Sequence, residues 1–324
     1  MTARRRIGWS LLGAAALVLP LVVYPVLGAD ILAWALFAAA FDLLLGHTGL
    51  LSFGHAAYFG CGAYVAALLA TRLQAPFPLN ALAGGVAAGI LSLPLMGLSI
   101  RRKGIYFAMI TLAFAQMVYY IANQWRGVTG GENGITGVPR GHAFGVSLVS
   151  STVFYYATLV LVTLALLLCW RIVRSPFGRI LVAIRENEAR AQSLGYAVGR
   201  YKLIAAMLSG ALAGLAGGIW VINHGFVGLD AVHWSTSGTV VIMTLLGGMG
   251  TRLGPVVGAA LVIALRDAIS AWTDAWGVVT GIIFIAVILA FRRGIVGTLE
   301  GALGRRAAPA PAVPAPERPL GTIR

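Results

Sequence analysis

Five histidines, ten carboxylates, two cysteines and two lysines are the residues of this 324-residue chain with the widest chemical range. Metal binding would need ligands at helical spacing, but His47, His55, His142, His224 and His233 form no His-x-x-x-His pair, and the nearest thiol, Cys61, stands six residues from His55. A Gly-x-x-x-x-Gly-Lys-Ser/Thr phosphate loop would need lysine after glycine, whereas Lys103 and Lys202 follow Arg102 and Tyr201. No nucleophile, base and orienting group are legible together. The expectation is therefore no catalytic residue, no metal site and no nucleotide held by this chain. Asp42 remains, a carboxylate inside an apolar segment, where charge is costly and usually functional. It could relay a proton or sodium ion, or it could bond backbone amides freed near the glycine-rich stretch Gly46 to Gly54.

The elements that must position these groups are apolar. The chain is 59% hydrophobic and 10% charged, with a mean hydropathy of +0.87, far from the roughly 25% charged of soluble domains. Charge-free runs such as Ile7 to Ala29 and Leu43 to Thr71 reach the roughly 20 residues a bilayer-crossing helix needs. Charges, prolines and glycines divide the chain into about ten segments: 9–28, 31–45, 55–71, 79–100, 104–122, 152–170, 203–222, 237–250, 255–272 and 278–291. An uncleaved first span is expected after Arg4, Arg5 and Arg6. The fold expected is all-α and polytopic, with both termini cytoplasmic. Of 24 Lys and Arg, all but Arg72, Arg126, Arg140 and Arg266 then fall on the inner side, as the positive-inside rule requires. The net charge of +14 thus reflects topology rather than nucleic-acid binding.

This division gives an N-terminal arm (1–8), six spans over 9–170 with an outer loop at 123–151, an inner loop (171–202), four spans over 203–291, and a tail (292–324) that turns Pro/Ala-rich and is expected to be disordered. The second and third segments look short and flank Gly46 to Gly54, which implies a tilted, thinned or broken helix near Gly46; Gly247 to Gly254 has the same character. Paired glycine interruptions point to a transport pathway, because unwound backbone survives in a bilayer only against a cavity or other protein. Gly85-x-x-x-Gly89 and Gly210-x-x-x-Gly214 are read as packing sites within the chain. The inner loop has a helical pattern that begins at Ser175-Pro176 and ends at Gly195. Ile180, Ile184, Ala191 and Leu194 recur on one face, and Glu186 and Arg190 form an i,i+4 pair. Such a segment could lie on the inner leaflet or dock a cytoplasmic partner.

Five ordered blocks carry a resemblance: DLLLGHTGLLSFGHAAYFGCGAY (Asp42 to Tyr64), GIYFAMITLAFAQM followed by TGGENGITGVP (Gly104 to Pro139), SPFGRILVAIRENEARAQSLGYAVGRYKL, GGMGTRLGPVVGA and FRRGIVGTL. Over roughly residues 31–300 the chain resembles permeases of the branched-chain amino-acid ABC importers, and among them the second of the two permease partners. The resemblance implies a bacterial inner-membrane machine. Its other parts would be a second homologous permease, two cytoplasmic ATPases that hold ATP and Mg, and an extracytoplasmic solute-binding protein. Arg185, Glu186, Asn187, Glu188, Ala189 and Gly195 would form the segment that couples to an ATPase, although Gly195 follows Glu188 by seven positions where such importers often have six. Candidate pathway and helix-break residues are Asp42, Gly46, Thr48, Gly49, Ser52, Gly54, His55, Gly247, Gly248 and Gly250, and Gly130, Gly131, Glu132, Asn133 and Gly134 would shape an outer gate. Relatives often carry Asn at the position of Asp42, and Asp there also occurs in those that look like urea or amide importers. The solute expected is a branched-chain or related amino acid. A short amide is the alternative within the class, and an ion-coupled transporter or a membrane scaffold lies outside it.

Overall fold

The computed structural model describes residues 17–20, 23–143, 145–272, 277–279, 281–282, 284–285 and 294–298. Most of the expected first and tenth segments, and the tail from 299, lie outside the described residues. The others form a helical bundle: α1 (Pro25–Thr48), α2 (His55–Arg72), α3 (Phe77–Ser99), α4 (Ile105–Gln124), α5 (Ser151–Arg174), α6 (Pro176–Glu186), α7 (Glu188–Ser193), α8 (Val198–His224), α9 (Trp234–Gly247) and α10 (Gly254–Ser270). Five of these, α1, α3, α4, α5 and α8, are long and apolar enough to cross a membrane. The multi-pass helical architecture expected from hydropathy is present.

α1 corrects the segment expected at 31–45. Pro25 occupies the first helical turn and Tyr24 before it is extended (φ −59°, ψ 137°), as the steric demand of proline on its predecessor requires. The helix therefore starts before Asp30, which lies inside it rather than in a connection. It runs unbroken through Gly46 and ends at Gly49, whose left-handed φ of +76° lets the amides of Gly49 and Leu50 reach the carbonyls of Leu45 and Leu44. Its 24 residues span about 36 Å at ~1.5 Å per residue, so neither thinning nor breakage is needed. Phe37, Phe41, Leu36 and Leu44 are fully buried among α5, α8, α9 and α10, as expected for a helix that is apolar all round.

Small residues hold α2, α3 and α8 together. A Cβ at Gly84 would sit 2.5 Å from the Gly62 carbonyl oxygen, one at Gly214 2.7 Å from that of Gly84, and one at Gly85 2.9 Å from that of Ala211. The two Gly-x-x-x-Gly patterns thus pack within the chain, as expected. The outward faces of α3 and α5 are aliphatic, with Leu79, Val86 and Ile90 on one and Val160, Leu164 and Leu168 on the other.

At the end opposite α6 and α7, the all-α expectation needs a small correction. The 123–151 connection contains a one-turn helix (Arg126–Thr129), a 3-10 turn (Gly131–Asn133) and three short strands, β1 (Ile135–Thr136), β2 (His142–Ala143) and β3 (Val146–Ser147). β1 pairs antiparallel with β4 (Phe226–Val227) and β2 with β3. The ribbon ties this connection to the one that follows α8. Gly134, at φ +64°, lies against the Val227 and Gly228 backbone, where no side chain fits.

Gly214→Val should lower stability by roughly 1–3 kcal/mol through overpacking. Gly97→Ala, with open space at its Cβ position inside α3, should be neutral or slightly stabilising. Thermal aggregation of the purified variants in detergent checks both.

Candidate functional site

The charged connection between α5 and α8 is more sharply bent than its sequence suggests. α5 continues to Arg174 and α8 begins at Val198, so the stretch between these two long helices is 175–197, inside the expected inner loop of 171–202. The Ser175 Oγ accepts from the Gly178 amide at 3.4 Å and Pro176 takes the first helical position, as expected. The single helix expected to reach Gly195 is instead two. Asn187 is extended (φ −156°, ψ 97°), and its Oδ1 caps α7 by accepting from the Arg190 amide at 2.9 Å. Asparagine competes with the helical backbone in this way and favours caps over helix interiors. Glu186 and Arg190 consequently do not share one helix, and Leu194, 71% exposed, is not on the packed face. Ile184, Ala191 and Val198 form the small cluster that joins α6, α7 and α8. Gly195, at φ +85°, makes the final turn.

Within this bend Glu188 faces inward. Its two oxygens lie 3.0 Å from Lys103 Nζ and 2.9 Å from Lys202 Nζ, the latter side chain only 5% exposed. The carboxylate thus pins α7 to α8 and to the connection between α3 and α4. Partial burial favours its neutral form, but the hydrogen bonds and charges of Lys202 and Lys103 outweigh this and hold the carboxyl below its ordinary value. Glu186, Asn187, Ala189 and Gly195 remain exposed.

Arg185 carries the bend into the bundle. Its guanidinium donates to the Gly46 carbonyl, and its aliphatic stem crosses Gly49, where a Cβ would lie 2.8 Å from its Cγ. Beside it, Asp42 accepts the Gly250 amide at 2.8 Å through Oδ1, with His47 Nδ1 3.7 Å from Oδ2. Gly250 (φ +72°) and Gly248 (φ +115°) form the turn between α9 and α10. Gly46 is glycine because that turn packs on it, a Cβ there lying 2.6 Å from the Gly250 nitrogen. It is a contact inside a helix, which corrects its reading as a break. Asp42, Gly46, Gly49, Gly250 and Arg185 thus form one junction. Gly247 sits at its neck, where a Cβ would lie 3.0 Å from the Gly258 nitrogen.

The remaining candidates lie elsewhere. Thr48 closes α1, donating to the Leu43 carbonyl at 3.2 Å. Ser52 Oγ accepts from the Gly54 amide at 3.2 Å, and Gly54 precedes α2. His55 is fully buried, with Nε2 2.9 Å from Ser209 Oγ. Ser209 Oγ itself donates to the Ala40 carbonyl. The Ala56 amide donates to Ser237 Oγ at 2.8 Å. These residues fasten the start of α2 to its neighbours. Gly130, Gly131, Glu132, Asn133 and Gly134 form a turn at the opposite end, with Glu132 and Asn133 exposed. Lys103 and Lys202 are partners that sequence reading missed; no local pattern brings residues 99 positions apart to one carboxylate.

Comparison with known proteins adds a second line of argument. The profile of the family described as "Branched-chain amino acid transport system / permease component" matches residues 28–288. The high-affinity branched-chain amino acid transport system permease protein LivM of Salmonella typhimurium is 31% identical over 253 residues, 70% of this chain and 59% of that protein. The probable branched-chain amino acid transport permease protein LivM of Methanocaldococcus jannaschii is 27% identical over 58% of this chain and 53% of its own length. The autoinducer 2 import system permease protein LsrC of Klebsiella pneumoniae is 34% identical over 44% of this chain and 43% of its own. The matches span between two fifths and three fifths of these relatives' lengths. No solved structure matches significantly.

At position 42 the geometry asks for an acceptor of the Gly250 amide, not for a charge. Asp42→Asn should retain the fold, whereas Asp42→Leu should destabilise it by about 1–3 kcal/mol, the cost of a buried unpaired amide; melting in detergent separates them. Because the folded Glu188 carboxyl lies below its unfolded value, its contribution is complete above that unfolded value and fades as pH falls through the folded one. Limited proteolysis at 187–195 should accelerate over that acid range in the parent. In Glu188→Gln it should already be fast at neutral pH and change little.

Proposed function

This chain belongs to the branched-chain amino-acid transport permease family, and from that premise we propose that it is one of two membrane permeases of an ATP-driven importer for branched-chain or related amino acids. Its place is the inner membrane of a bacterium, with α6 and α7 on the cytoplasmic side. The partners are a second homologous permease, two cytoplasmic ATP-binding subunits that hold the ATP and Mg, and an extracytoplasmic solute-binding protein. The chain supplies the gated path and no catalytic residue. The names of its relatives favour amino acids over the short amides that the Asp42 position also suggests.

The junction at Arg185 carries the mechanistic part of this reading. An ATPase that pushes on the exposed residues of α6 and α7 moves a guanidinium bonded to the Gly46 carbonyl, where α1 meets the α9–α10 turn. Displacing α6 therefore strains two spans at once, and the positive-φ glycines Gly49, Gly248 and Gly250 are the backbone points that can absorb the change. The exposed Glu186, Asn187 and Ala189 are the surface offered to the ATPase, and Glu188 keeps that surface rigid. An ion-coupled transporter would need Asp42 free to exchange a cation; its Oδ1 is engaged by the Gly250 amide.

Reconstituted alone, the chain should show no gradient-driven uptake of leucine, and the assembled complex should take it up only with ATP inside the coupled compartment. Gradient-driven uptake by the isolated chain would overturn the reading. Arg185→Ala should reduce uptake per ATP hydrolysed by between about five-fold and 150-fold, the span of ordinary coupling energies of about 1–3 kcal/mol. ATP hydrolysis and uptake measured together in proteoliposomes check it.

A further inference from the structure

The last turn of α5 joins an aliphatic stripe to a pair of guanidiniums. Val160, Leu164, Leu167 and Leu168 are exposed on the outward face of this helix, and Arg171 and Arg174 are exposed beyond them. At about 100° per residue these six positions fall within roughly 120° of arc, so the two cations continue the stripe rather than lie beside it. From Val160 to Arg174 the stripe rises about 21 Å at ~1.5 Å per residue, more than half of the ~30 Å hydrocarbon core of a bilayer. α5 stops there, because Ser175 is extended and Pro176 opens the next helix. An aliphatic surface that ends in two cations meets a bilayer where acyl chains give way to headgroups.

Arg174 is held in place. Its guanidinium carbon lies 3.9 Å from the centre of the Trp170 ring, within the range of a cation–π stack. Stacking occupies the face of the guanidinium and leaves the N–H donors at its edge, in the fork that matches a phosphate bidentately. An ordered fork also loses less rotamer freedom on binding than a free side chain. Among the described residues, no carboxylate lies within ion-pair distance of Arg171 or Arg174. Trp170 itself is half-buried, the ring type enriched at membrane interfaces. Arg252, in the α9–α10 turn, stands 5.8 Å from the same ring, but it has a further interaction of its own and is not counted as a ligand.

We propose that the end of α5 binds an anionic phospholipid, its phosphate on the Arg171 and Arg174 guanidiniums and an acyl chain along Val160, Leu164, Leu167 and Leu168. That this end faces the cytoplasm rests on the permease reading above; the lipid site requires only that α5 crosses the bilayer.

The test is native mass spectrometry of the full-length chain in a neutral detergent. The probes are phosphatidylglycerol, phosphatidylcholine with the same acyl chains, and sn-glycerol 1-phosphate, which carries the phosphate without an acyl chain. Phosphatidylglycerol should bind about ten- to thirty-fold more tightly than phosphatidylcholine, the scale of two guanidiniums beside an anionic headgroup. Glycerol phosphate at the same concentration should not displace it. Arg171→Gln combined with Arg174→Gln should erase most of the preference, whereas Arg200→Gln, which removes an exposed cation of α8, should leave it unchanged. Equal affinity for the two lipids, displacement by glycerol phosphate, a preference kept in the double variant, or one lost equally in Arg200→Gln overturns the proposal. The comparison of lipids on the parent needs no variant. If the double variant does not fold, Arg174→Gln alone takes its place, with a fall in preference of at least about three-fold expected. A chain that imports no amino acid but shows this selectivity loses the transport reading and keeps the lipid site.

Discussion

The bond between the Gly250 amide and the Asp42 carboxylate closes the bundle where its helices end. In a bilayer no water replaces a missing backbone partner, so each break in a helix must be satisfied by the protein itself. The turn between α9 and α10 leaves amides without intrahelical acceptors; α1 supplies one from Asp42, and Arg185 in turn serves the Gly46 carbonyl. Polar side chains are present at this junction because backbone groups need partners.

The glycines of this chain divide into two physical kinds. Gly49, Gly248 and Gly250 adopt positive φ and turn the chain. Gly46, Gly62, Gly84 and Gly214 sit in ordinary helix and are small because another backbone lies against them. Dispersion between closely approaching backbones replaces the hydrophobic drive that lipid cannot provide. Both kinds produce the same letter in the sequence, and for that reason Gly46 reads there as a break.

The two ends of the molecule share their helices. α1 carries Asp30 at one end and Asp42 at the other, about 18 Å apart at ~1.5 Å per residue. α10 begins at the α9–α10 turn and ends beside Asp267. The Arg185 junction therefore shares α1 and α10 with the opposite end of the bundle, where Tyr24 Oη donates to Asp267. Between them, His55 bonded to Ser209 and the Ala56 amide bonded to Ser237 fasten the start of α2 to α8 and α9.

Hydropathy and the distribution of basic residues determined that this is a multi-pass helical membrane protein, because the bilayer imposes length and charge rules on each segment alone. Local chemistry likewise determined the Ser175-Pro176 start of α6 and the short helices around Gly247 to Gly254. Tertiary structure alone decided that Asp30 belongs inside α1, that Glu188 answers Lys103 and Lys202, and that Asp42 serves a glycine 208 positions away. A boundary charge and a buried one look alike in a string of residues, and the partner of a carboxylate is set by which helices pack together, which no local spacing encodes.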